Sequence, residues 1–487
     1  MNWTFEHTLA EQLEGLSVPW QAARPPQPEL LLFNAALAAQ LDLPGRENGE
    51  EQLAAWLSGA QEVPTSAPVA LAYAGHQFGT FNPQMGDGRA LLLGEVIAPD
   101  GARFDLQFKG SGKTPYSRGG DGKCGLGPAL REYLMSEAMA ALGVPTTRSL
   151  AVVKTGEGIW RETPQHGAVL TRVAASHLRI GTFEFAAAHQ GLAAVQQLTN
   201  YALARHYPHL NAARNRPLAL LEAVAEAQAV LVAKWMALGF VHGVMNTDNV
   251  TISGETIDYG PCAFLDGYAD DAVFSSIDRG GRYAFGQQPA VCQWNLYRLG
   301  AALIAAIAAV DEADTEAARA LLEGFPARYE GHWLRELRAK LGLSNAEPDD
   351  LALARDLFTA LNGQQADFTR LFRALSASLE QGYAVLAAEL LEPDRFAPWF
   401  SRWQARLAQE PIDPGTRAAA MDTVNPLYVP RNHLVDAALS QADTGDMTAF
   451  EQLLAVTTQP FTEQPEREPY AHGAPAGSPR HVTFCGT

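Results

Sequence analysis

Two stretches of this chain hold residues whose types and spacing suit chemistry on phosphates. The first is F-V-H-G-V-M-N-T-D-N-V-T-I at 240–252, followed by T-I-D-Y-G at 256–260. Asn249 stands seven residues after His242, and Asp258 follows a second β-branched stretch. Two hard oxygen donors of this kind suit Mg²⁺, which takes few protein ligands and completes its shell with phosphate oxygens and water. Mn²⁺ is the alternative ion. The second stretch lies earlier. Gly86-Asp87-Gly88-Arg89 is followed, 20 residues after Arg89, by Lys109. Glycines let backbone N–H groups approach a phosphate, and lysine supplies a point charge. Lys113, Arg118, Asp121, Gly122 and Lys123 crowd the loop after Lys109, and Arg172 and Arg179 follow in the segment 171–183. Guanidinium forks bind phosphate bidentately.

The order of these pieces is that of a protein kinase: a Gly-rich loop, a strand lysine, a helix carboxylate, a His-Gly loop with a metal-binding Asn, then Asp-Tyr-Gly. Glu132 is the candidate partner of Lys109. One departure matters. Small-molecule kinases that use the His-Gly form place their base two residues after the His, where this chain has Val244. A valine accepts no proton. The nearest carboxylate is Asp248. Two readings follow: an inert pseudokinase, or a reaction at a different phosphorus with Asp248 as the base.

The elements that must position these residues can be read from pattern. Strands are expected at 91–97 and 104–108 around the Pro99-Asp100-Gly101 turn, and at 150–154 and 168–173. A helix is expected from about Pro128 to Leu142, stopped by Gly143. From 186 the text becomes helical, at 186–206, 217–239, 291–310 and 313–323. A helical pattern is also read at 30–43. The expected class is α+β: a bilobal protein-kinase-like fold with a β-rich N-lobe and a larger helical C-lobe. Its parts are an N-terminal extension (1–65), the N-lobe (66–185), the C-lobe core (186–340), and a helical C-terminal extension with an irregular tail (341–487). Lys340 reads as a surface lysine.

Composition excludes some functions. With 36 basic and 54 acidic side chains the net charge is −18, which argues against a nucleic-acid partner. The stretch 299–310 is too short to span a bilayer, the N-terminus has no apolar signal core, and the four scattered cysteines form no metal-ligand spacing. No membrane partner and a cytoplasmic location are expected.

Seven stretches together closely resemble the selenoprotein O family, pseudokinases that act as protein adenylyltransferases. They are Y-A-G-H-Q-F-G at 73–79, G-D-G-R-A at 86–90, K-G-S-G-K-T-P-Y-S-R at 109–118, R-E-Y-L-M-S-E-A-M at 131–139, S-H-L-R-I-G-T-F-E at 176–184, H-G-V-M-N-T-D-N at 242–249 and G-R-Y-A-F-G-Q-Q-P-A at 281–290. The resemblance implies ATP bound in a flipped pose, its α-phosphate facing a protein Ser, Thr or Tyr hydroxyl. It implies that Gly86, Gly88, Arg89, Lys109, Asp121, Gly122, Arg172 and Arg179 hold the nucleotide and that Glu132 orients Lys109. Asn249 and Asp258 would hold the metal, with Asp258 also on the nucleotide, and Asp248 would be the base. The competing functions are a conventional phosphotransferase and a non-catalytic ATP-binding scaffold. The resemblance also implies a disulfide from a tail cysteine, here Cys485, to the activation-loop region. Residues 274–276 offer no cysteine there, and Cys262 is the substitute partner.

Overall fold

The computed structural model describes residues 3–475 and 477–483. The chain is a mixed α/β protein with an antiparallel sheet and many helices. Its strands are β1 (Ser17–Pro19), β2 (Glu29–Phe33), β3 (Val69–Leu71), β4 (Gly75–Gln77), β5 (Thr80–Asn82), β6 (Ala90–Ile97), β7 (Arg103–Lys109), β8 (Cys124–Gly125), β9 (Arg148–Trp160), β10 (Pro164–Ala174), β11 (Phe240–Val241) and β12 (Ala263–Phe264). Eight of them form the main sheet, in the order β1-β3-β6-β7-β10-β9-β2 with β8 against β10. The β6–β7 hairpin closes through Pro99-Asp100-Gly101: Gly101 sits at φ +86, and the Ala98 N–H donates to Ala102 O at 2.8 Å.

One face of the sheet buries Leu93, Leu106, Phe108 and Val153 against Trp3, Leu37, Leu53 and Leu57 of the first 65 residues. The other face buries Val152 and Leu170 under the helix Leu126–Ala141. That helix is in turn covered by the late helices Asn432–Asp443 and Thr448–Thr457 through Val435, Phe450 and Leu453. The remaining helices share one continuous core around Arg216–Leu238.

Sequence expectation and structure differ in four places. The helix read at 30–43 begins as strand β2, because residues 29–33 pair with the edge of β9; only Ala35–Gln40 is helical. The helix read at 186–206 is two helices, Ile180–His189 and Leu192–His206, parted at Gly191 with φ +82. Lys340 is buried rather than on the surface. The stretch 299–310 belongs to a longer segment, Phe285–Ala308, that is long and apolar enough to cross a membrane by length and composition. Here Leu296, Leu299, Leu303 and Ile307 of that segment bury into the helical core.

Candidate active site

Alternation along β7 sets the first wall of the site. Gln107 and Lys109 lie two apart and share a face; across the ladder, Arg172 of β10 stands opposite Gln107. Both cations point to the helix Leu126–Ala141, whose Glu132 is buried. Lys109 Nζ lies 2.6 Å from Glu132 Oε2 and 2.6 Å from Asp258 Oδ1. Arg172 Nη2 lies 2.6 Å from Glu132 Oε1 and 2.8 Å from Asp258 Oδ1. Two cations and two carboxylates thus balance, which is what makes burying them tolerable. Burial opposes ionisation of Glu132 and Asp258, yet Lys109 and Arg172 hold the Asp258 carboxyl well below its ordinary value and lower that of Glu132 too. Asp258 sits at φ +64, a costly backbone state for a residue other than glycine.

The second wall is the loop after β11. Gly239, at φ +72, ends the helix Arg216–Leu238; a Cβ there would come 2.6 Å from the Phe368 ring. His242 then braces the loop: its Nε2 donates to Ile257 O at 2.9 Å, beside Asp258, and its Nδ1 accepts from the Val244 N–H at 3.3 Å. Burial keeps this imidazole below its usual pKa, hence neutral. Segment 179–180 runs against 250–251, which brings Arg179 to the loop. Its Nη1 donates to Asp248 O at 3.1 Å, and its guanidinium lies over the Tyr73 ring. Asp248 is buried, its Oδ1 has no hydrogen-bond partner, and burial pushes its carboxyl up to about 6, with Arg179 acting the other way.

The glycines act first through shape. Gly86 (φ +77) and Gly122 (φ +69) adopt left-handed turns; a Cβ would strike the Tyr116 ring at 2.4 Å and Gly112 O at 2.1 Å. The Gly86 N–H already donates to Tyr73 O at 3.1 Å.

Every predicted site residue except Glu132 lines one cavity of about 650 Å³: Gly86, Gly88, Arg89, Lys109, Asp121, Gly122, Arg172, Arg179, Asp248, Asn249 and Asp258. Two of them are already engaged by neighbouring side chains. The Arg172 guanidinium meets Glu132, Asp258 and Gln107 Oε1. Asp121 at the rim is held bidentately by Arg161, at 2.9 Å to each oxygen. Sequence reasoning missed Arg161, whose partner is 40 residues away. It also missed Asp87, which lies inside the quoted G-D-G-R motif and whose burial pushes its carboxyl up to about 6, and Asn246, three residues before Asn249.

The donor set fits a divalent cation. Asp258 receives both cations on Oδ1, which leaves Oδ2 for another partner. Asn249 Nδ2 donates to Val244 O at 3.0 Å, so its Oδ1 is the free end of the amide. Asp248 Oδ1 is an orphaned buried acceptor. Among the described residues no three His, Cys, Asp or Glu side chains cluster as a closed metal site, so phosphate oxygens would complete the shell.

The family model described as protein adenylyltransferase SelO matches residues 1–458. The chain belongs to the SelO family. Relatives agree along nearly their whole length. The protein nucleotidyltransferase YdiU of Sphingopyxis alaskensis is 53% identical over 487 residues and covers all of both chains. That of Rhodococcus jostii is 52% identical over 99% of this chain and 94% of its own. The three described cysteines, Cys124, Cys262 and Cys292, are free and buried. The SelO-type tail disulfide expected for Cys485 lies outside the described residues. Thr483 meets Pro261 O and Phe274 O, at 3.0 and 2.8 Å.

Proposed function

We propose that this chain transfers AMP from ATP to Ser, Thr or Tyr hydroxyls of cytoplasmic proteins and releases pyrophosphate. The observation that carries the reading is the pairing of Val244 with Asp248 in one cavity. The kinase base position is apolar, while a buried carboxylate with an unpartnered oxygen stands four residues on. In the proposed step the acceptor oxygen attacks the α-phosphorus, the bond from that phosphorus to the bridging β-phosphate oxygen breaks, and the acceptor proton goes to the Asp248 carboxylate. Arg179 holds the Asp248 backbone and adds charge against the triphosphate. Lys109, oriented by Glu132, faces the phosphates. Asn249 and Asp258 would hold Mg²⁺ or Mn²⁺, which when bound neutralises charge on the triphosphate.

The same contacts support a bilobal kinase-like reading of the fold. The Lys109–Glu132 pair is the strand-lysine to helix-carboxylate pair of kinases, here in an N-lobe of residues 66–185. The loop at 242–249 and Asp258 belong to a C-lobe core of residues 186–340. Residues 1–65 and 341–487 are the extensions; the first packs on the sheet, and the helices Asn432–Asp443 and Thr448–Thr457 of the second pack on the helix Leu126–Ala141.

ATP labelled at the α- or the γ-phosphorus tests the reading. Label from the α-phosphorus on protein is expected. Label from γ alone would make the chain a conventional phosphotransferase, and label from neither would make it a scaffold.

A further inference from the structure

The cavity that holds Asp248 opens onto an apolar platform that the proposed nucleotide contacts do not use. Phe78, 37% exposed, and Ile277, 53% exposed, both line its mouth. Phe78 is at the tip of the β4–β5 hairpin, and Phe81, 42% exposed, stands beside it.

This hairpin is bolted to the catalytic loop. The His76 N–H donates to Thr247 Oγ1 at 2.7 Å, and Thr247 Oγ1 donates to Glu184 Oε2 at 2.6 Å. His76 Nδ1 lies 2.6 Å from Glu184 Oε1, off the line of a good hydrogen bond. The Phe78 N–H donates to Asn246 Oδ1 at 3.2 Å, and the Tyr283 hydroxyl donates to the same oxygen at 2.6 Å. Even Gly75 is constrained, since a Cβ there would come 2.5 Å from Asp248 Oδ1. The tip itself has Phe78 at φ +50 and Gly79 at φ +83. Such a turn favours Asn or Gly at both positions, so the phenyl ring is not there for the turn. A rigid mount therefore presents a partly exposed aromatic ring, packed on one side against Tyr283, at the mouth of the cavity that holds the proposed base, and at an unfavourable backbone angle. Exposed apolar surface continuous with a reaction cavity marks a binding surface.

We infer that Phe78 and Ile277 dock the acceptor. The acceptor is an extended protein segment with an apolar side chain within about two residues of the modified hydroxyl. This rests on the AMP-transfer reading. The placement follows from the cavity: Phe78, Ile277 and Asp248 line one space, so side chains close to the modified hydroxyl along an extended acceptor, which advances only about 3.3 Å per residue, are the ones that meet the platform.

The test uses the full-length protein, α-labelled ATP, intact protein acceptors and peptide pools. Each pool has a fixed Ser, Thr or Tyr and one flanking position set to an apolar, acidic, basic or small residue. The wild type is expected to label pools with Leu, Met or Phe flanking the hydroxyl. Phe78→Asn, which suits the left-handed turn, and Ile277→Ser are expected to raise the acceptor KM about tenfold and to flatten the apolar preference. Calorimetric ATP affinity is expected to change far less, and Phe78→Leu to restore the preference. Transfer from the α-phosphorus with no flanking preference, or with Phe78→Asn unchanged, would overturn the inference and leave the AMP-transfer reading standing. Label on intact proteins but on no peptide would overturn the extended-segment claim. If Phe78→Asn altered only self-association by light scattering, the patch would be a dimer surface and the inference would fall. No α-label on any acceptor would bring down the AMP-transfer reading and this inference with it.

Discussion

Two residues near each other in the cavity do opposite things with charge. Asp258 is locked as a carboxylate by Lys109 and Arg172, whereas Asp248 is buried with its Oδ1 unpartnered, and burial raises its carboxyl to about 6. A pair of carboxylates pushed apart in this way divides labour, one for charge and one for protons. Asp248→Asn is therefore expected to lower AMP transfer by at least about 100-fold while ATP still binds. Calorimetry beside the α-label assay checks it, and near-normal transfer would remove Asp248 as the base. Val244→Asp restores the kinase base position but not the nucleotide pose. It is expected to reduce α-label transfer and add little from γ; efficient γ transfer would mean that ATP sits as in ordinary kinases. Arg172→Ala leaves two buried carboxylates to share Lys109 alone, which costs about 3–5 kcal/mol. Urea unfolding is expected to show that loss together with the loss of activity, as befits a positioning residue. An unchanged midpoint would return Arg172 to the role of a simple phosphate contact.

At the scale of elements, local pattern served best where neighbours in sequence are also neighbours in space. The β6–β7 hairpin and the helix Leu126–Ala141 fall near their expected bounds. Their periodicity and their Gly and Pro signals act within a few residues. The 30–43 segment misled because Leu-rich text suits helix and strand alike, and the open edge of β9 decided between them. Lys340 misled for a related reason. It reads as a surface lysine because lysines are mostly exposed, but it ends the helix Phe325–Lys340 with its ammonium 4.0 Å from the centre of the Phe372 ring, inside the core. Burial pulls its pKa down to about 7, with Glu336 acting the other way. The folded state thus resists the charge that the unfolded chain carries up to its ordinary pKa of 10.5. Stability is penalised at pH 7 and recovers as pH rises through 10. Lys340→Met is expected to raise the melting temperature at pH 7, by a margin that shrinks toward pH 10.5. A lower melting temperature would show that the cation–π contact outweighs desolvation.

Across the whole molecule, the sheet and the helices meet through buried charge. Asp105 of β7 accepts from Arg205 Nη2 at 2.6 Å and from the His177 N–H at 2.8 Å, and its Oδ2 lies 3.0 Å from His177 Nδ1. Burial pulls the His177 pKa to about 4, against Asp105, which favours the charged ring. Above pH 6.5 the ring is neutral in both states and has no effect. Below it the unfolded chain takes up a proton that the folded chain refuses, so stability falls from about pH 6.5 down to about pH 4. The loss amounts to about 3 kcal/mol. His177→Asn keeps a donor for Asp105 and is expected to flatten stability against pH over that window, as read by urea midpoints. An unchanged slope would place the acid sensitivity elsewhere.

The sequence by itself determined the chemistry on offer. Lys109, Glu132, Asp248, Asn249 and Asp258 stand out as candidates because metal binding, phosphate binding and proton transfer each demand particular atoms, and because Val244 is plainly not a base. The tertiary structure decided which of those atoms remain free. Whether Arg172 opens to a ligand or closes on Glu132 depends on a strand and a helix 40 residues apart. Likewise Arg161 meets Asp121, and Phe78 meets Asn246, only once the chain has folded. Burial and pairing are sums over all neighbours, and no local pattern contains them.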